Sequence, residues 1–99
     1  MEYKVEVLEK AVKTYGRMHQ TIKAAEELSE LLVALNKGLG MMKIPWETMD
    51  NIREECADVE IMLGQLKIIF GDWSGWTHDK MDRLEDRINA INGTKENDR

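Results

Sequence analysis

A single cysteine, Cys56, is all the thiol this chain has. That excludes an internal disulfide and a cysteine-based zinc site. Cys56 falls mid-helix on an apolar face, where a small core hydrophobe is expected. Proline is nearly missing as well, with Pro45 alone, so long helices can run uninterrupted. Basic charge is in short supply: the net charge is −5. Such a chain is not expected to bind nucleic acid or a membrane surface in general, since both attract basic proteins. No apolar run reaches the length of a membrane span, and no secretory leader is visible. A reducing cytoplasm is therefore the expected location. Strand-like alternation persists nowhere, and there is no internal repeat or low-complexity tract. These absences leave an all-α chain.

With 99 residues the chain is one domain, expected over 1–92, with 93–99 a disordered polar tail. A chain this short buries only about two-thirds of its unfolded surface when it folds alone, so oligomerisation would add burial. The spacing predicts a first helix to about Tyr15, broken by Gly16. A second runs from about Arg17 to Lys37, with Ile22, Ala25, Leu28, Leu32 and Leu35 as its apolar stripe. Pro45 suits the first position of a third helix, which ends at Phe70 before Gly71. Ile52, Cys56, Val59, Leu63, Leu66 and Phe70 share one of its sides. Ile61 and Ile68 fall on another, and a helix apolar on two sides is expected to be buried on both, in a bundle or a subunit interface. After a loop at 71–76, Thr77 is placed to cap a last helix over 78–92. Met81, Leu84, Ile88 and Ile91 would line its inner face, and Gly93 would end it.

The abundant feature is acid. Glu26, Glu27 and Glu30 form one cluster, and Glu55 and Asp58 form a second. Residues three or four apart share a helix face, so Glu27 pairs with Glu30 and Glu55 with Asp58. At about 100° per residue, Glu27 lies within ~40° of Leu31, at the edge of the apolar stripe. Glu55 falls between Val59 and Met62, near the interior. An acid there is costly to desolvate unless it has a partner. Lys23 and Arg53 are the nearest bases in sequence, and Arg53 points well away from Glu55. Consecutive helices with a short link are usually antiparallel neighbours, which would set the two pairs opposite each other. The gathered charge then calls for a cation, and an all-oxygen donor set favours Mg²⁺ or Mn²⁺ over zinc or copper. His19 and His78 do not stand three residues after any glutamate, which disfavours a di-iron carboxylate bundle.

The run Ala25-Glu26-Glu27-Leu28-Ser29-Glu30-Leu31, a gap of 24 residues, then Glu55-Cys56-Ala57-Asp58-Val59 resembles the signature of the MazG-like all-α nucleoside triphosphate pyrophosphohydrolases. The segment 80–87, Lys-Met-Asp-Arg-Leu-Glu-Asp-Arg, resembles their basic C-terminal helix. The likeness spans about Gly16 to Asn92.

The fold expected is a MazG-like helical bundle of two long antiparallel helices and shorter flanking ones, and the second apolar side of the third helix points to assembly through helix faces as a homodimer or homotetramer. The resemblance implies Mg²⁺-dependent cleavage of the α–β phosphoanhydride of a nucleoside triphosphate, giving monophosphate and pyrophosphate. Glu27, Glu30, Glu55 and Asp58 are the implied metal ligands. Glu26 would orient a water, act as a base or support the ligands. Lys80, Arg83 and Arg87 are candidates for phosphate contact, and Lys23 for phosphate or acid. Gln20 and His19, seven residues before Glu27 and Glu26, are candidates to read a base edge. Trp46, Trp73 or Trp76 would stack on the base, or else pack. Two alternatives stay open: phosphoribosyl-ATP as substrate, or a helical interaction protein with no chemistry.

Overall fold

Two glycines set where the helical path turns. Gly16 and Gly71 have φ of 94° and 98°, a left-handed backbone that other residues avoid. Each donates its N–H back to a carbonyl four residues earlier, Val12 and Lys67, and so ends a helix. The computed structural model describes residues 4–97, with side chains through 93. Four helices fill it: α1 (Val5–Tyr15), α2 (Arg17–Leu39), α3 (Trp46–Phe70) and α4 (Ser74–Asn97). Among the described residues there is no strand. No helix there is long and apolar enough to cross a membrane.

The breaks at Gly16 and Gly71 are where the sequence puts them, but other boundaries differ. Pro45 caps α3 rather than opening it: its ψ of 153° is extended, and its carbonyl accepts the Met49 N–H. α2 runs through Gly38 to Leu39. A Cβ on Gly38 would lie 3.6 Å from both Ile44 and Ile52, ordinary van der Waals contact, so this glycine is a packed position within the helix and not its stop. α4 begins at Ser74 instead of near His78. The Ser74 hydroxyl donates to the Asp72 carboxylate, which holds that carboxyl below its ordinary range, this hydrogen bond being the main cause. Thr77, expected as the cap, lies inside the first turn and donates to the Trp73 carbonyl. At its other end α4 continues past Gly93 to Asn97, and residues 98 and 99 lie outside the described residues. With 24 residues it is a third long helix, not a short flanking one.

α3 is the centre of the packing, with α1 and α2 against it, and α1 also touching α2. The α2–α3 partners advance along one helix as they retreat along the other. Arg17 donates to the Ile69 carbonyl, Gln20 to Gln65, and Gly38 packs near Ile52. On α2 the residues turned to this seam are Gln20, Ala24, Glu27, Ala34 and Gly38. They are small or polar, and their spacing is that of one helical face. The expected stripe therefore faces outward: Ile22 is 56% and Leu32 58% exposed, with Ala25, Leu28 and Leu35 also exposed. Small residues let the helix axes approach, and large ones at the same positions would hold them apart. On α3 the buried residues are Val59, Met62, Gln65 and Ile69. Ile52 and Leu66 are half-buried, whereas Cys56, Leu63 and Phe70 are exposed. Cys56 is thus not a core residue; the face that turns inward is the one carrying Glu55 and Val59.

Among the described residues, α4 packs against none of the other helices. Its stripe of Met81, Leu84, Ile88 and Ile91 is exposed along its length. The radius of gyration is 18.1 Å and the longest extent 60 Å, against about 13 Å for a compact chain of this size.

A polar thread runs through the core. His19 Nδ1 donates to Gln20 Oε1 at 2.7 Å. Gln20 Nε2 donates to Gln65 Oε1 at 2.7 Å, and Gln65 Nε2 reaches the Met62 sulfur at 3.5 Å. Both glutamines are buried, so losing one strands the other. Gln20→Leu is expected to destabilise the fold by about 1–3 kcal/mol, with the Gln20→Leu/Gln65→Leu pair recovering much of the loss. Denaturant melts of the three variants check this. Strictly additive losses would show that the two amides do not depend on each other.

Candidate metal centre

Glu27 stands on the buried face of α2, and Glu55 and Asp58 stand one turn apart on the facing stretch of α3. Each contributes a carboxylate oxygen, and these oxygens all lie within 4.8 Å of one another. Glu27 is only 9% exposed; Glu55 and Asp58 are half-buried. The Oε2 atoms of Glu27 and Glu55 are sheltered from solvent and have no hydrogen-bond partner. A carboxylate oxygen in that condition loses its hydration and gains nothing in return.

The electrostatics record the same conflict. The Glu55 carboxyl is pushed above its ordinary value, first by desolvation and then by the charges of Glu30, Asp58 and Glu27. One base relieves part of it. Lys23 Nζ lies 3.3 Å from Glu27 Oε1 and 3.7 Å from Glu26 Oε2. Its ammonium is held above the ordinary range, chiefly by its hydrogen bond to Glu27 and then by the charges of Glu27 and Glu26. Arg53 is turned away, with its guanidinium 5.2 Å from the Trp46 ring centre. Glu27 thus gives one oxygen to Lys23 and keeps the other free beside Glu55 and Asp58. That donor set suits a hard divalent cation.

Three of the four paired acids come together here. Glu30 is exposed and outside the trio, because the seam passes through position 27 and a step of three residues swings about 60° off it. Its charge still reaches Glu55. Glu26 is exposed and tied to Lys23.

The other candidates are spread out. Gln20, expected as a base reader, is a core residue with its amide bonded on both sides. His19 is exposed, stacks on Tyr15 at 5.5 Å and donates to Gln20. Lys80, Arg83 and Arg87 are exposed on α4, which one chain does not bring to the acids. Trp73 carries the Lys67 ammonium 5.0 Å from its ring centre, and Trp76 is exposed.

Sequence reasoning missed a groove of about 360 Å³ that opens beside the trio between α2 and α3. Glu30, Val33, Ala34 and Lys37 line it from α2, and Asn51 and Glu55 from α3. Helical spacing holds the signal. Lys37 is two turns beyond Glu30, and Asn51 is one turn before Glu55, so each shares a face with an acid of the cluster.

A raised folded-state pKa means that the fold binds this proton more tightly than the unfolded chain does. Stability is therefore lost as pH climbs from the ordinary carboxylate value of 4.5 through the raised one. In chelator at pH 7, Glu55→Gln is expected to melt a few degrees above the unmodified protein, and the gap is expected to close on acidification toward pH 4.5. Calorimetric melts measure it. A variant that melts lower at pH 7 would show that Glu55 carries no electrostatic penalty.

No family model, curated protein or solved structure matches the chain.

Proposed function

We propose that this chain is a Mg²⁺-dependent nucleoside triphosphate pyrophosphohydrolase of the MazG-like all-α type, with α2 and α3 as its antiparallel pair. The observation that carries the reading is the trio Glu27, Glu55 and Asp58, with oxygens within 4.8 Å and two sheltered oxygens left unbonded. Clustered, partly buried acids that a single lysine only partly offsets are a standing electrostatic cost, and such a cost marks a candidate ligand site.

Bound Mg²⁺ (or Mn²⁺) would neutralise phosphate charge and supply an activated water. The protein's part is to hold that charge in place. Glu27, Glu55 and Asp58 provide the oxygen cage, with Glu30 able to swing in from its flank. Lys23 fixes the Glu27 carboxylate through Oε1, and Glu26 fixes Lys23. In the reaction, water oxygen bonds to the α-phosphorus, the α–β bridging P–O bond breaks, pyrophosphate leaves, and a carboxylate of the cluster takes the water proton.

The active form in this reading is a homodimer or homotetramer. The outward stripe of α2 and the unpartnered stripe of α4 support it. So do Ile61 and Ile68, both exposed on α3. Assembly through these faces gives the basic residues Lys80, Arg83 and Arg87 a route to the phosphates from a neighbouring copy. Lys replacement of both Ile61 and Ile68 is expected to yield monomer or aggregate. Unchanged mass by light scattering would remove these residues from the interface.

The same exposed apolar faces also suit a purely structural role, an interaction protein whose acidic surface meets a basic partner. A substrate panel separates the two. Pyrophosphate release is expected from at least one canonical or modified (d)NTP with Mg²⁺ or Mn²⁺. Chelator should abolish it, and Glu55→Gln should lower it at least about 100-fold, the scale of losing one preorganised electrostatic group. No pyrophosphate from any member of a broad panel, phosphoribosyl-ATP included, would defeat the enzyme reading.

A further inference from the structure

We infer that Lys37 and Asn51 seat the pyrophosphate end of the substrate in the groove beside the acid trio, an inference that rests on the pyrophosphohydrolase reading. The helix pair α2–α3 carries five cationic side chains, and four are engaged within the chain. Arg17 donates to the Ile69 carbonyl. Lys23 bridges Glu26 and Glu27. Arg53 and Lys67 lie over Trp46 and Trp73. Lys37 is the fifth. Among the described residues no carboxylate lies within ion-pair reach of it, yet it lines the groove that Glu30 and Glu55 also line.

Helix geometry aims it. Side chains on an α-helix lean toward the N-terminus, so Lys37 leans from the far end of the groove back toward Glu30. Asn51, facing it from α3, brings two amide donors that suit phosphate oxygens. Between them the floor is Val33 and Ala34, and no aromatic residue lines the groove. It has no platform on which a base can stack, but it does have an ammonium and an amide. Glu30 and Glu55 line the same groove, and with their charge offset by the divalent cation of the proposed reading the remaining ammonium and amide suit the phosphates leaving as pyrophosphate, while no stacking platform draws the nucleoside to Lys37. The sheltered oxygens of Glu27 and Glu55 mark where the chain of phosphates crosses the acids.

Calorimetric titration of inorganic pyrophosphate in Mg²⁺ into the full chain tests this, with Lys37→Met, Lys37→Arg, Asn51→Ala and Lys23→Met side by side. Lys37→Met is expected to weaken pyrophosphate at least about tenfold, the scale of one charge-assisted hydrogen bond. Asn51→Ala should weaken it less, and Lys37→Arg should restore part of the loss. In turnover, KM for the triphosphate should rise in Lys37→Met while the melting shift caused by Mg²⁺ alone stays as in the unmodified protein. If the unmodified protein hydrolyses a triphosphate and Lys37→Met and Asn51→Ala both bind pyrophosphate within about twofold of it, the groove assignment falls and the enzyme stands. A change of oligomeric mass in Lys37→Met would make the groove a subunit contact and overturn the assignment as well. Absence of pyrophosphate release from the unmodified protein would remove the reading beneath both.

Discussion

Burying Glu27 opposite Glu55 and Asp58 is the constraint on which the rest of this molecule turns. Two helices cannot bring three carboxylates within 4.8 Å on hydrophobicity alone, because like charges in a partly dried seam repel. The seam is accordingly built for approach and polarity more than for apolar bulk. Ala24, Ala34 and Gly38 let α2 lie close to α3. Gln20 and Gln65 close it with an amide pair, and Lys23 takes one oxygen of Glu27. What this leaves unsatisfied, the Oε2 atoms of Glu27 and Glu55, is a local deficit that the proposed cation would offset.

The constraint has a consequence on the far side of α2. A helix whose inner face is spent on small and polar residues must place its large apolar residues elsewhere. Ile22, Leu28 and Leu32 face out, and α4 offers Met81, Leu84, Ile88 and Ile91 with no other described helix packed over them. Exposed apolar stripes of this length are what the proposed assembly would cover. The acid seam and the outward apolar stripes are two outcomes of one sequence choice.

Much of this was legible in the residues. Gly16 and Gly71 punctuate the helices because only glycine tolerates their positive φ. Three-residue spacing near apolar positions marks Glu27 with Glu30 and Glu55 with Asp58, and of these four only Glu30 falls outside the trio. The inward face of α2 was not legible, because hydrophobic periodicity names the most apolar face, and here the most apolar face is turned out. Cys56 was misplaced for the same reason. The early start of α4 hid in a local hydrogen bond between Asp72 and Ser74, which competes successfully with the Thr77 signal. Nothing on α2 alone shows that Gln20 is bonded in the core and not open to a base, because its partner lies 45 positions away. The groove of Lys37 and Asn51 depends on the register between α2 and α3, which no pattern on either helix specifies by itself.

The most direct test of the account is whether the seam binds a divalent ion. Electron paramagnetic resonance of Mn²⁺ titrated into the full chain at neutral pH reads it without requiring turnover. Saturable, stoichiometric loss of the free-ion signal is expected, competed by Mg²⁺ and removed by Glu27→Gln in a protein that remains helical by circular dichroism. A free-ion signal that follows total Mn²⁺ from the first addition would contradict it.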